Sequence, residues 1–456
     1  MRNAKRQYTN KGFCSIIESM KSVKAYRFRW LILLALMALI LSVELQWMNM
    51  APVGRVANLY YQDQISTRFS DPVELLSLAY LVIFVIASIP SSYVIHRLGI
   101  MVSIRIAAGM IFFGAVGKWI YLANFPVVLF CQIILALAQA LVLNSITEIV
   151  SRWFPIRERG MAVGMASAAQ YLSLGIVMFL SPLMVASKAG ESNYGSGFER
   201  MMGTYAIICS VFAIVAAFLI REKPPSPSSI LEREEDVSFL KSFRAINKIS
   251  SLRGLMIIFA VGWGVLVTLL VKIDAISAIL GFPDSDGRLG IVILGGGMVG
   301  AVLLPSLSDR WRRRKAFFVF CNLCSIPGLL LLVFSQELGA LFLTSNIIAL
   351  VGAFIVGFCL LSSIPIGSQY AAELGLGISE EIIQAMLLLF SQASGAVLLI
   401  ITLASKGQYA GQLLSGLAAL LFAAMMGSTF LKESEVIITE EERLHEVIEK
   451  EIVHLQ

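Results

Sequence analysis

Glu44, Gln46 and Trp47 fall within four residues of one otherwise apolar run, with Asn49 just beyond and Pro52 closing it. A carboxylate in this company can partner a cationic substrate. Glu44 is the only acid well inside an apolar run of the N-terminal half, so it is also a candidate carrier of a coupling proton. Gln170 and Gln392 lie about 15 and 16 Å along two other runs at 1.5 Å per residue, one in each half of the chain. Gln139, the deeper of the pair Gln132 and Gln139, and Trp263, midway along another run, complete the candidate binding set. Each has a plainer reading. An amide can simply bond a neighbouring helix, worth about 0.6 kcal/mol; Trp47 can be an interfacial belt residue; Glu44 can sit in a structural pair; Trp263 can be packing. Lys118-Trp119 reads as a snorkelling anchor, and Lys272 and Asp274 as groups facing water. Cys321-x-x-Cys324 reads as packing. With six Cys, three His, no phosphate loop and no nucleophile–base arrangement, the sequence offers no catalytic group, metal site or cofactor site.

The elements that must carry these residues follow from composition. Hydrophobic residues make up 57% of the 456, charged residues only 14%, and the mean hydropathy is +0.80. A soluble domain carries about 25% charged residues, and disorder requires low hydrophobicity. The chain therefore reads as an all-α membrane protein. Apolar runs lie near 29–51, 72–95, 100–123, 126–150, 160–184 and 203–221. A second set lies near 254–274, 288–307, 316–335, 340–364, 382–404 and 409–431. Each is long enough to cross a hydrocarbon core of about 30 Å, giving twelve spans. Breaks are expected at Gly295-Gly296-Gly297 in span 8 and near Pro365 in span 10.

Most of the 36 Lys and Arg fall in the tails and the even-numbered loops. Arg2, Lys5, Arg6, Lys11, Lys21, Lys24, Arg27 and Arg29 crowd the N-terminal tail. The positive-inside rule places both termini in the cytoplasm. The net charge of +6 thus reads as topology and not as affinity for nucleic acid. Residues 1–28 carry no signal-peptide core, and 13–26 could form a short amphipathic helix on the membrane surface. The lack of an Asn-x-Ser/Thr sequon favours a prokaryotic inner membrane. The C-terminal tail, 432–456, reads as an acidic amphipathic helix.

Residues 222–253, with Glu222-Lys-Pro-Pro-Ser-Pro and Glu232-Arg-Glu-Glu-Asp236, form a charged linker between six spans (29–221) and six more (254–431). After span 2 comes Ser92-Tyr-Val-Ile-His96-Arg97-Leu-Gly99. After span 8 comes Pro305-Ser-Leu-Ser-Asp309-Arg310-Trp-Arg312-Arg313-Arg314. Both resemble the loop motif Gly-x-x-x-Asp-Arg-x-Gly-Arg-Arg of facilitator transporters, with His96 in place of the first Asp. Arg152-Trp-Phe-Pro-Ile-Arg157-Glu158-Arg159-Gly160 resembles another loop of that class. The resemblance implies the major facilitator fold of two six-helix bundles around a midplane site. It also implies a cytoplasmic gate, here assigned to His96, Arg97, Asp309, Arg310, Arg313, Arg159 and Glu373.

Further residues are similar to one branch, the feline leukaemia virus subgroup C receptor family, tied to choline, ethanolamine and haem. They are Arg29-Trp30, Gln46-Trp47, Gln132, Ala138-Gln139, Trp153-Phe154, Gln170, Pro365-x-Gly367, Ala372-Glu373 and Ser391-Gln392-Ala-x-Gly395. The resemblance implies that Trp47 helps cage a quaternary ammonium and that Gln170 and Gln392 line the pocket. Two departures stand out: the family's span 7 tyrosine has no equivalent near Val267, and Glu44 is foreign to the pattern. The expectation is a monomeric secondary transporter in a cell membrane, moving an amine cation by alternating access. A proton-coupled carrier of another metabolite, such as an amino acid or siderophore, and a non-transporting receptor of the same fold are the alternatives. An enzyme is not expected.

Overall fold

The computed structural model describes residues 26–64, 71–186, 193–225, 239–282, 287–311, 313–341, 345–375, 378, 380–404 and 410–433. The surface helix expected at 13–26 and the acidic tail helix therefore lie outside the described residues, save for Tyr26 and 432–433. Among the described residues, eleven helices are long and apolar enough to cross a membrane, and Ala410–Met426 is a shorter apolar helix in the twelfth position. The N-terminal bundle is built from α1 (Phe28–Met48), α2 (Gly54–Tyr61), α3 (Pro72–Leu98), α4 (Ile100–Ile120), α5 (Phe125–Asn144), α6 (Ile146–Trp153), α7 (Ile156–Met184) and α8 (Phe198–Leu219). After α9 (Phe239–Lys248) the second bundle comprises α10 (Ser250–Val271), α11 (Ile273–Ile279), α12 (Arg288–Trp311) and α13 (Arg314–Val333). It is completed by α14 (Ser335–Leu341), α15 (Ser345–Leu374), α16 (Glu380–Ala404) and α17 (Ala410–Met426). The second half of the linker is helical in α9.

Local chemistry sets the helix ends. Asp71 caps α3, its Oδ1 accepting from the Glu74 N–H at 3.0 Å, with Pro72 in the first turn. Asn124 caps α5 in the same way. At Gly99, φ is +82°, which a side chain would resist, and the chain turns there from α3 into α4.

Two expected breaks do not occur. The triple glycine lies inside the continuous helix α12, and Pro365 inside the continuous helix α15. The glycines serve close packing instead: a Cβ on Gly297 would collide with Leu361 of α15. Small residues at helix contacts are how membrane helices approach. Breaks come elsewhere: span 4 is interrupted at Ser145, between α5 and α6, and the equivalent first helices of the two halves are interrupted too. Span 1 stops at Met48, passes through a 3₁₀ turn at Ala51–Val53 and restarts as α2. Pro52 has no N–H to continue the α-helical ladder. Span 7 stops at Val271 and restarts as α11.

The bundles meet where α3 packs on α16 and α7 on α12. At the end away from the termini their buried apolar residues merge into one core, running from Val43 and Val56 to Val267, Ile276 and Leu294. Toward the termini the second bundle has a separate core of Leu252, Phe259, Phe318, Tyr370 and Met386. The bundles are thus joined at the distal end and part toward the termini.

Candidate functional site

Glu44 is buried in α1 at 3% exposure and faces two neutral amides. Gln139 of α5 donates to its Oε1 from 3.1 Å and Gln170 of α7 from 3.3 Å. Three helices therefore converge on one carboxylate. Trp47 stacks on Tyr80 of α3, with centroids 5.7 Å apart and planes 6° from parallel. Tyr80 in turn donates to the Val43 carbonyl at 2.9 Å. Trp47 is therefore not a belt residue; it is 4% exposed within the protein.

Gln46 does not join Glu44. Two residues along a helix is about 200° of turn, so it faces the other way. Its backbone carbonyl accepts from Lys118 Nζ at 2.9 Å, and its Oε1 from Asn49 at 3.4 Å. The snorkelling reading of Lys118 is overturned: this lysine is 1% exposed and also donates to Asn49 Oδ1 (3.2 Å) and Gln132 Oε1 (2.8 Å). Trp119 beside it packs on Gly203 of α8.

From the second bundle come Trp263 on α10 and Gln392 on α16, both buried. There α16 lies against α10, with Ser394 at Gly264, and Gly395 sits against Leu81 of α3 and Val267 of α10. Gln392 is thus one turn from the seam, and Leu81 adjoins Tyr80. Gln170 and Gln392 share no hydrogen bond among the described residues. Trp47 Nε1, Gln139 Oε1, Trp263 Nε1 and Gln392 Oε1 are buried without a hydrogen-bond partner. Each such group costs about 1–3 kcal/mol when left unsatisfied.

The distal end is tied across the bundles by charge. Arg55 of α2 pairs with Asp274 of α11 at 2.7 Å, and its backbone N–H donates to the same carboxylate. Lys272 pairs with Asp71 (2.7 Å) and Glu74 (2.5 Å), and Thr402 of α16 hydrogen-bonds Glu74. Lys272 and Asp274 were expected to face water. They are instead the second bundle's half of a buried lock, and Arg55, Asp71 and Glu74 were not singled out in the sequence.

At the terminal end, ion pairs form within each bundle. Arg314 joins Asp309 and Glu373, the latter at 2.9 Å. Arg310 and Arg313 are exposed. Arg159 donates to the Ser151 and Phe154 carbonyls, holding the loop ahead of α7, while Glu158 pairs with Arg29 of α1 at 2.9 Å. His96 and Arg97 are exposed, with Arg97 over the Tyr93 ring. The carboxylate missing from the first motif copy is supplied by Glu222, read as linker. It accepts from the Met101 N–H at 2.8 Å and from Arg152 at 2.6 Å. Burial pushes its pKa up, but the α4 N–H groups and Arg152 outweigh that and hold it below its ordinary 4.5. A depressed carboxyl pKa stabilises the fold above the ordinary value and loses that contribution as pH falls through it. Glu222→Gln should therefore lower the melting temperature at pH 7, with the gap to wild type closing below pH 4.5. A gap independent of pH would exclude this role.

The family model described as Major Facilitator Superfamily matches residues 32–379. The chain belongs to this superfamily. It is a secondary transporter of the multi-pass membrane type. Among curated proteins, the human choline/ethanolamine transporter FLVCR2 is 23% identical over 86% of this transporter and 74% of its own length. Zebrafish (Danio rerio) flvcr2a is 24% identical over 84% and 82%, and zebrafish solute carrier family 49 member A3 is 28% identical over 66% and 62%. Among solved structures, a D-xylose-proton symporter superposes with a TM-score of 0.69 at 15% identity, covering 88% of this transporter and 98% of that chain. A bacterial homologue of the human lysosomal transporter Spinster gives 0.58 at 15% identity over 90% and 95%. These structures share the fold. The curated relatives named are from animals and lend no support to a prokaryotic membrane.

Proposed function

We propose that this transporter carries a small amine cation, with Glu44 as its countercharge, Trp47 and Tyr80 as its aromatic wall, and Gln139, Gln170, Trp263 and Gln392 completing the site. The observation that carries the reading is Glu44: a buried carboxylate met by two neutral amides. A charge out of water is costly unless paired, so the site calls for a cation or a proton. The family resemblance and the relatives' names, choline/ethanolamine transporters, favour an organic amine. A proton on Glu44 in the unloaded protein would answer the same need and makes proton exchange the second reading.

Both termini belong in the cytoplasm by the distribution of Lys and Arg. The lock of Arg55, Asp274, Lys272, Asp71 and Glu74 then closes the outer side, and the parting of the two cores describes an inward-facing state. The halves 29–221 and 254–431 are the moving units, and Asp309, Arg314, Glu373, Glu158 and Glu222 latch their inner ends. We place the transporter in a cell membrane as a monomer.

A melting-temperature titration tests the substrate class, since a ligand that binds the folded state raises the transition. Choline or ethanolamine should raise it in a saturable way, while 3,3-dimethylbutanol, the neutral isostere of choline, should not. Trp47→Ala should weaken that response about tenfold, in keeping with about 1–2 kcal/mol for a desolvated cation–π contact. Equal affinity for the isostere would remove Glu44 and Trp47 from the site.

A further inference from the structure

The break in span 1 exposes helix carbonyls within the protein. Helix ends leave their last four carbonyls without intrahelical donors. Two neighbouring helices supply partners here: Ser181 of α7 donates to the Asn49 carbonyl at 3.0 Å, and Lys118 of α4 to the Gln46 carbonyl at 2.9 Å. An ammonium has three N–H donors, and Lys118 spends them on three oxygens, the others being Asn49 Oδ1 and Gln132 Oε1. None of these is a carboxylate. Lys118, Gln46, Asn49 and Gln132 are all at most 1% exposed. Interrupted membrane helices coordinate inorganic cations through the carbonyls freed at the break, and Asn and Gln amide oxygens are ligands of the same hard kind.

The position matters because of what the break separates. Glu44 and Trp47 lie before it, and Arg55 of the distal lock lies after it. The Lys118 ammonium is therefore bonded to the joint between the binding groups and the lock.

We propose that Lys118 is a built-in cation: its ammonium fills an oxygen-lined monovalent-cation site at the break of span 1, so that the joint is held without a bound ion. The site is separate from the amine-binding groups, and the proposal stands whatever the transported solute is. Removing the side chain should open the site to a small cation from solution. Lys118→Ala should melt well below wild type in sodium chloride. Methylammonium, which replaces the end of the missing side chain, should restore at least half of that loss in a saturable way, with ammonium less effective. Tetramethylammonium, which has no N–H, should raise Lys118→Ala no more than it raises wild type, and serves as the control for ionic strength and for occupancy of the amine site. The gain with methylammonium is likewise read as the excess in Lys118→Ala over any shift the same cation gives wild type.

If Lys118→Ala yields no folded protein in sodium chloride, extraction in methylammonium should recover it. Lys118→Met, whose apolar chain keeps the site plugged, should be destabilised and not rescued. The proposal is overturned if methylammonium acts on Lys118→Ala no more than tetramethylammonium does, if it fails to recover folded protein, or if Lys118→Met melts like wild type.

Discussion

Glu44→Gln should reduce uptake of the cationic substrate by about 100-fold or more, with the protein still folded. The substitution keeps size and hydrogen-bonding capacity while removing the charge. Gln139 and Gln170 have amide oxygens as well as amide donors, so both can turn to satisfy a neutral neighbour. What is lost is the attraction of a carboxylate for a cation in a dehydrated site, of order 4 kcal/mol at 4 Å for an effective dielectric of 20. At 1.4 kcal/mol per factor of ten, that is enough for two to three decades. The same variant should make uptake indifferent to an imposed pH gradient if Glu44 also exchanges a proton. Uptake by Glu44→Gln at wild-type rates would return this carboxylate to a structural role.

Lys272→Met should open the distal end. Glu74 is 1% exposed and, beyond Thr402, has Lys272 as its ion-pair partner, so the variant strands a buried carboxylate. Breaking a buried pair by removing one partner costs about 3–5 kcal/mol. That penalty applies only while the end is closed, so the equilibrium moves toward states in which water reaches Glu74. Met178, fully buried where α7 meets Gly290 of α12, reports the seam. In a cysteine-free background, Met178→Cys should label with a membrane-impermeant maleimide at least tenfold faster when Lys272→Met is added. Adding Glu74→Gln removes the stranded charge and should restore protection. Labelling that Lys272→Met leaves unchanged would mean that apolar packing alone closes this end.

The class of fold was legible because a bilayer admits few solutions. Runs of about twenty apolar residues had to be helices, and even the charge motifs between them fell at helix ends as expected. Glu44 and Trp47 were legible for the same reason, since polar groups in an apolar run need a cause. Whether a charged residue near a span end faces solvent or protein was not legible. Lys118 and Lys272 have the same local sequence character as ordinary interfacial lysines, and most of their partners lie far along the chain. Glu222 sat in a stretch whose composition spoke for solvent, yet it caps α4. Pro365 and the triple glycine look like breaks on a scale of local propensity. Membrane helices override that scale because leaving a backbone group unpaired there costs several kcal/mol. The breaks at Asn49 and Lys272 are ones whose freed carbonyls and side chains find partners across the bundle.

The central claim is that this transporter moves a small amine cation through a site whose charge is Glu44. The direct measurement is uptake of radiolabelled choline and ethanolamine into proteoliposomes containing the purified protein, with and without a pH gradient, in wild type and Glu44→Gln. We predict saturable wild-type uptake of at least one of these amines, competed by other amine cations but not by 3,3-dimethylbutanol, and its loss in Glu44→Gln. Wild-type liposomes that take up neither amine above protein-free liposomes, under either gradient, would contradict the account.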